Sequence, residues 1–137
     1  MSDAIYQQAL KDLAQAAHGN GRLPSPDGEA LRDNPLCGDR VRIEITRSGD
    51  TITALAQETK GCLLCRASAS LLGQRAPGLR VPDIAALAEA LQLMLSHNGA
   101  LPADWPELGV FLPVRHHPSR HGCVMLPLEA LLQALSR

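Results

Sequence analysis

The segment Asn34–Arg40 places a thiol and a carboxylate two residues apart, at Cys37 and Asp39, just ahead of a predicted β-strand. Two more thiols open a predicted helix near the middle of the chain, and the fourth lies towards its C-terminal end. Thiolates bind zinc, copper(I) or iron–sulfur species, and a tetrahedral zinc site takes four ligands. A fold that uses these groups together must bring three distant segments to one point. The metal ligands predicted on this basis are Cys37, Asp39, Cys62 and Cys123.

The composition indicates one globular domain, 1–137, and argues against several classes of function. The 137 residues are an ordinary domain length, and the 45% that are hydrophobic suffice for a core. The net charge of −1 predicts no general attraction to nucleic acid or to anionic membranes. The aromatic residues are Tyr6, Trp105 and Phe111, which are too few for a base-stacking platform. No apolar run is long enough to span a bilayer.

What the cysteines indicate depends on the compartment in which we expect the protein. The sequence begins Met1-Ser2-Asp3 and lacks the basic segment and apolar core of a secretory signal. We therefore expect a cytoplasmic protein, and disulfides are rare in the cytoplasm. Four cysteines in a reducing compartment indicate metal binding or thiol chemistry.

Two hydrophobic periodicities alternate along the chain. Apolar and polar residues alternate over 41–46 and 51–56, which predicts two strands joined as an antiparallel hairpin by a turn at 48–50. A short strand near 30–32 is also predicted. Helical spacing of apolar residues predicts four helices, and the mixture indicates an α+β fold. The predicted helices are 3–17, 62–75, the segment from Pro82 to Asn98, and 127–135, and the proline-rich stretch 100–122 is predicted to be mostly irregular.

The two central cysteines have different expected roles. Cys62 lies at a predicted helix N-terminus, where unpaired amides and the helix dipole stabilise an anion and lower a thiol pKa. Cys65 lies three residues further on, on the same broad face as Ala69 and Leu72. Isolated buried cysteines usually behave as small hydrophobic residues. For Cys65 we therefore favour packing over metal ligation.

Two features of the stretch 100–122 have local interpretations. Trp105 and Phe111 are predicted to pack within the segment, with partner docking as the alternative. The histidines His116 and His117 are predicted to be solvated, because no fixed helical spacing relates them. His121 is the candidate for an auxiliary metal ligand in this loop.

Three segments together resemble a known family. Asn34–Asp39 is similar to the Asn-Pro-x-Cys-Gly-Asp signature of the U-type iron–sulfur assembly proteins, the group of IscU, NifU N-terminal domains and SufU. Gly61–Ser70 resembles the family's Gly-Cys motif and the small Ala/Ser helix behind it, and Pro118–Leu126 resembles its third motif. The N-terminal helix with Tyr6 also fits. The resemblance covers nearly the whole chain, with the motifs in the family's order.

The resemblance implies a small antiparallel sheet of about three strands, packed by several helices, with the metal site at one exposed end. It also implies a role in building iron–sulfur clusters. In one branch a [2Fe–2S] cluster is assembled on three cysteines and transferred to apo-proteins. In the SufU-like branch the protein binds zinc and accepts persulfide sulfur from a cysteine desulfurase. The implied partners are a desulfurase and apo iron–sulfur proteins or a downstream scaffold, and neither nucleic acid nor a membrane.

Several residues resemble the SufU-like branch more closely. Arg40 completes a Cys-Gly-Asp-Arg sequence similar to that branch's own, and Arg120 lies where SufU-like proteins have arginine. Gly122 occupies the position at which the scaffold branch carries a histidine, and 96–114 is an extra segment that the scaffold branch lacks. Cys65 departs from both branches, since it replaces a small residue. It adds a thiol that is inert, an alternative ligand or a resolving thiol.

The resemblance implies sulfur transfer as the activity. We expect Cys37 to be the nucleophile, because its Pro and Gly neighbours suggest an exposed loop, and Asp39 to be the ligand most easily displaced. Arg120 is expected to hold a carboxylate ligand or an acidic partner residue, as an auxiliary to the site. One alternative is an adaptor whose zinc is purely structural. The other is a scaffold for a [2Fe–2S] cluster held by Cys37, Cys62 and Cys123.

Overall fold

The computed structural model describes the backbone of residues 2–136 and the side chains of residues 7–136. Within these residues the chain forms one three-stranded antiparallel sheet with helices packed on it, so the predicted α+β class is confirmed. None of the described helices is long and apolar enough to cross a membrane. The strands are β1 (Gly28–Asn34), β2 (Asp39–Ser48) and β3 (Thr51–Lys60), and the α-helices are α1 (Ser2–Ala16), α2 (Leu63–Arg75), α3 (Val81–Ser96) and α4 (His121–Leu135).

The sheet has the order β1–β2–β3 and follows the alternating pattern of the sequence. The predicted hairpin of β2 and β3 is present, and both strands are longer than predicted. The added residues are charged or polar, so the pairing of the strands extends beyond the segments in which apolar and polar residues alternate. The predicted strand near 30–32 is confirmed as the middle of β1. Its neighbour β2 contributes Val41, Ile43 and Ile45 to the core, all fully buried.

Two of the three motif segments lie at the same end of the sheet. Asn34 at the end of β1 pairs with Asp39 at the start of β2, and Arg40 pairs with Lys60 at the end of β3. Because neighbouring strands are antiparallel, the β1–β2 turn and the exit of β3 lie at the same edge. Cys62 follows two residues after β3, and α2 begins there.

Helix α2 lies close to its neighbours because it is built from small residues. It packs against α1, α4 and β3. The Ser68 hydroxyl donates to the carbonyl of Val124 in α4 at 2.7 Å, and the Ser70 hydroxyl accepts the His18 amide at 3.0 Å. A Cβ added at Gly73 would overlap the His18 carbonyl. The connection between α1 and β1 can therefore lie this close to α2 only because residue 73 is glycine.

The start of the last helix was predicted wrongly. Helix α4 begins at His121 and not at Pro127, which lies inside it. Proline lacks an amide and cannot donate to the carbonyl four residues earlier, which favours reading it as a helix start. The helix passes through this position because it packs on β1, β2, α2 and α3, and burial outweighs one lost hydrogen bond. Cys123 therefore lies in the first turn of a helix.

The stretch predicted to be irregular contains two 3-10 helices, Pro106–His116 and Pro118–Arg120. Prolines remove amides that an α-helix would need for its hydrogen bonds. The tighter 3-10 helix is common in such short segments. Trp105 and Phe111, which were predicted to pack within the segment, are both buried and belong to the hydrophobic core of the domain. The Arg75 guanidinium of α2 lies 4.0 Å from the centre of the Trp105 ring.

Candidate metal centre

The turn between β1 and β2 presents Cys37 to solvent. The Asn34 carbonyl accepts the amides of Cys37 and Gly38 at 3.2 and 2.8 Å, and its side-chain Oδ1 accepts the Leu36 amide at 3.2 Å. Gly38 has φ +73°, a left-handed conformation that glycine adopts readily. The predicted exposure of Cys37 is confirmed.

Asp39 joins the turn to helix α2. Its side chain is only 1% exposed, and its Oδ1 accepts the amide of Cys62 at 2.9 Å. Cys62 is the N-cap of α2, where the helix dipole stabilises a nearby anion. The Cys62 Sγ lies 3.8 Å from Oδ2 of the same carboxylate. A Cβ at Gly61 would overlap Asp39 Oδ1, so glycine makes room for the carboxylate.

Cys123 reaches the same point from the first turn of α4. Its side chain is buried, and its Sγ lies 3.1 Å from the Sγ of Cys37. Burial raises the pKa of the Cys123 thiol well above its ordinary value, and hydrogen bonds with Cys37, Asp39 and Cys62 raise it further. Burial and these neighbouring groups therefore favour the protonated form of the Cys123 thiol.

The geometry brings three of the four predicted ligand residues to one place. The ligand atoms of Cys37, Asp39 and Cys123 lie within 4.8 Å of one another. Cys62 adjoins this group through its two contacts with the Asp39 carboxylate. Closely spaced thiols with one carboxylate suit zinc, which takes four sulfur, nitrogen or oxygen ligands, and thiolates also suit iron–sulfur species.

The auxiliary candidates lie in different surroundings. Cys65 is fully buried within α2, and its burial, followed by the charges of Asp39 and the neighbouring thiols, raises its pKa well above the ordinary value. Arg120 is exposed at the N-cap of α4. His121 Nε2 lies 3.0 Å from the Val114 carbonyl, so its ring faces the 3-10 segment. The two histidines before Pro118 are exposed, as predicted.

Sequence reasoning missed two residues that shape the site. Asn34 organises the Cys37 turn with its carbonyl and side chain, and Gly61 gives space to the Asp39 carboxylate. A signal was present for both. Asn followed by Pro favours a turn that the Asn side chain closes, and glycine has no Cβ and so permits the close approach of another group.

The chain resembles known proteins in both sequence and fold. The model of the NifU-like N-terminal domain family matches residues 5–103. The matched span includes Cys37, Asp39 and Cys62 and ends before Cys123.

Named relatives match over nearly the full length. The iron–sulfur cluster assembly scaffold protein IscU of Thermotoga maritima is 25% identical over 133 residues, 97% of this chain and 94% of that protein. The zinc-dependent sulfurtransferase SufU of Bacillus subtilis is 26% identical over 138 residues, 98% of this chain and 92% of that protein. The crystal structure of a nitrogen-fixing NifU-like protein (N-terminal) from Brucella abortus superposes with a TM-score of 0.92 at 28% identity, covering 98% of this chain and 94% of that one. Since the family model matches well over half of the chain, the protein belongs to the NifU-like N-terminal domain family.

Proposed function

We propose that this protein serves iron–sulfur cluster assembly by binding zinc and accepting persulfide sulfur from a cysteine desulfurase. The observation that carries the proposal is the convergence of two thiols and a carboxylate, those of Cys37, Cys123 and Asp39, within 4.8 Å. The relatives support it, because one is named a zinc-dependent sulfurtransferase and another an iron–sulfur cluster assembly scaffold. All four cysteines are free, as suits a protein of the reducing cytoplasm.

The zinc ligands that we propose are three thiolates and one carboxylate, which satisfy a tetrahedral site. Zinc, when bound, keeps its thiol ligands deprotonated at neutral pH. The chain contributes the orientation of the carboxylate, since the Cys62 amide and the dipole of α2 hold Asp39 in place. The proposed set is Cys37, Asp39, Cys62 and Cys123.

Cys37 is the residue that we propose to accept sulfur, because it is the most accessible of the four cysteines. Its thiolate attacks the outer sulfur of the donor persulfide. A bond forms between Cys37 Sγ and that sulfur, and the sulfur–sulfur bond of the donor breaks. The donor cysteine leaves as a thiolate with the electron pair of the broken bond, and Cys37 carries the new persulfide. The transfer needs neither an oxidant nor a reductant.

The two auxiliary residues have separate proposed roles. Arg120 is exposed three residues before Cys123, where it can pair with an acidic residue of the partner. Cys65 is fully buried with a raised pKa, so it is a poor nucleophile and fills space in the core.

The test is transfer of radiolabelled sulfur. The zinc-loaded protein is mixed with its cysteine desulfurase and labelled cysteine, and label on the protein is measured under non-reducing conditions. We expect Cys37→Ser to lose the label while Cys65→Ala, the matched control, retains it. Zinc content is measured in both variants, because Cys37→Ser also removes a proposed zinc ligand, and the label carried per bound zinc separates loss of the acceptor from loss of the metal. Transfer to Cys37→Ser at the wild-type rate would contradict the proposal.

The second candidate is a scaffold that carries a [2Fe–2S] cluster as cargo on Cys37, Cys62 and Cys123 and hands it to apo-proteins. The similarity to IscU of Thermotoga maritima favours it, together with three cysteines near one end of the sheet. Anaerobic reconstitution would then give absorption in the visible region, and the chromophore would pass to an apo-ferredoxin. A colourless product after reconstitution would argue against this candidate.

A further inference from the structure

The residue next to the proposed nucleophile is an exposed leucine. Leu36 is 95% exposed, more than any other large hydrophobic residue among those described. Its amide donates to Asn34 Oδ1, and the next two amides donate to the Asn34 carbonyl. These bonds hold the backbone of the turn, so the leucine side chain stands outside the body of the protein beside Cys37. Such a side chain is available to a partner.

Two basic residues stand beside the turn. An open cleft of about 460 Å³ lies between the turn and the end of the β2–β3 hairpin, and Arg40 and Lys60 both line it. Arg40 is paired with Asp33 at 2.7 Å, whereas Lys60 has no ion-pair partner among the side chains from residue 7 to 136. The other carboxylate of the cleft, Asp39, is buried against Cys62. The accessible charge of the cleft is therefore positive.

We propose that Leu36, Arg40 and Lys60, here called the Leu36 surface, dock the sulfur donor by an apolar pocket that takes Leu36 and an acidic segment that faces Lys60. The inference rests on the proposed function, since it names the partner of the same site. Docking on the residue next to Cys37 brings the donor persulfide to the nucleophile. Opposite charge steers association, and an apolar anchor buried in a pocket slows dissociation.

The charges of the surface favour this occupant over two others. In a symmetric contact between two copies of the chain, the same basic residues would approach each other, and like charges repel. Nucleic acid would need several unpaired cations in a row to bind the phosphate backbone, and on this surface only Lys60 has no ion-pair partner among the described side chains. An acidic protein segment needs only one or two cations opposite it.

The test compares two surface variants with two matched controls. Leu36→Ala is paired with Leu93→Ala, another exposed leucine, and Lys60→Glu is paired with Lys11→Glu, another exposed lysine. The probe is the cysteine desulfurase of the same genome, loaded with persulfide. Association and dissociation rates and the dissociation constant are measured on zinc-loaded protein at low and high salt, and zinc is counted in every variant.

We expect Leu36→Ala to weaken binding about tenfold, mainly through faster dissociation. Lys60→Glu should slow association about tenfold at low salt, and the difference should shrink as salt screens the charges. Both controls should stay within about twofold of wild type, and all four variants should keep their zinc.

Three results would overturn the inference. If Leu36→Ala and Lys60→Glu bind the donor like their controls while the wild type accepts sulfur, the inference is wrong and the proposed function stands. If Lys60→Glu loses zinc with unchanged association, the lysine serves the metal site and not the partner. If the wild type neither binds the donor nor accepts its sulfur, the inference and the proposed function fail together.

Discussion

Gly61 is the residue on which the position of the Asp39 carboxylate depends most directly. A side chain there would overlap Asp39 Oδ1, and the carboxylate would have to leave the Cys62 amide. We expect Gly61→Ala to weaken zinc binding at least about tenfold, as losses of supporting contacts around a metal do. The affinity is measured by competition with a chelator.

The matched control for this prediction is Gly109→Ala in the 3-10 segment. The nearest atom to a Cβ at that position is 3.8 Å away, an ordinary contact. Its zinc affinity should equal that of the wild type. A Gly61→Ala protein that binds zinc as tightly as Gly109→Ala would show that the carboxylate position does not matter.

Asn34 fixes the turn that carries the proposed nucleophile. Its Oδ1 accepts the Leu36 amide, a local bond that an aspartate can replace and an alanine cannot. We expect Asn34→Ala to slow sulfur acceptance by Cys37 about tenfold, since small misplacements of reacting groups are costly. Asn34→Asp should restore most of the rate. Equal rates for the two variants would exclude the side-chain bond as the cause, and their zinc content serves as the control.

At the scale of residues, the sequence was informative where the chemistry is local. Cys37 could be assigned to an exposed turn from its Pro and Gly neighbours, and Cys62 to a helix start from the glycine before it. The bond from the Cys62 amide to Asp39 could not be predicted, because it joins residues 23 apart. The approach of Cys123 to Cys37 spans 86 residues and depends on how α4 packs.

At the scale of elements, predictions failed where tertiary packing outweighed local preference. Pro127 indicates a helix start by itself, yet α4 begins six residues earlier because the sheet and two helices bury it. The 3-10 helix Pro106–His116 has no periodic pattern of its own. It is held by Phe111 in the core and by the contacts of Arg75 with Trp105 and Glu107.

The ion pair of Arg75 and Glu107 ties the 3-10 segment to α2, with Arg75 Nη1 at 2.7 Å from Glu107 Oε1. Burial raises the pKa of Glu107, but a backbone hydrogen bond and Arg75 outweigh it, so the pKa lies below its ordinary 4.5. A depressed pKa stabilises the fold above pH 4.5, and this contribution is lost as the pH falls through the folded-state value.

Glu107→Gln tests this pair. We expect it to lower the free energy of unfolding by about 1 kcal/mol at neutral pH, a small figure because the Glu107 side chain is 36% exposed. The difference from wild type should disappear in acid well below pH 4.5. Urea unfolding at both pH values measures it, with Glu129→Gln, exposed on α4, as the control. A difference that does not change with pH would assign the loss to packing.

At the scale of the whole molecule, the antiparallel order of the strands explains why the site exists. The strand order places the β1–β2 turn and the exit of β3 at one edge, and α4 brings its first turn to the same edge. The β2–β3 hairpin, which the sequence alone predicts, pairs Arg40 with Lys60 and so already places Cys37 and Cys62 at the same end of the sheet. The sequence does not predict that the first turn of α4 reaches this end, because the contact of Cys123 with Cys37 spans 86 residues and depends on packing.

The proposed function requires that these residues bind zinc. The most direct test is elemental analysis with an absorption spectrum, on protein purified without oxygen or added metal. We predict about one zinc per chain and no visible absorption, with the zinc lost in Asp39→Ala. Iron with sulfide and a coloured spectrum would contradict the proposal and would favour the cluster scaffold instead.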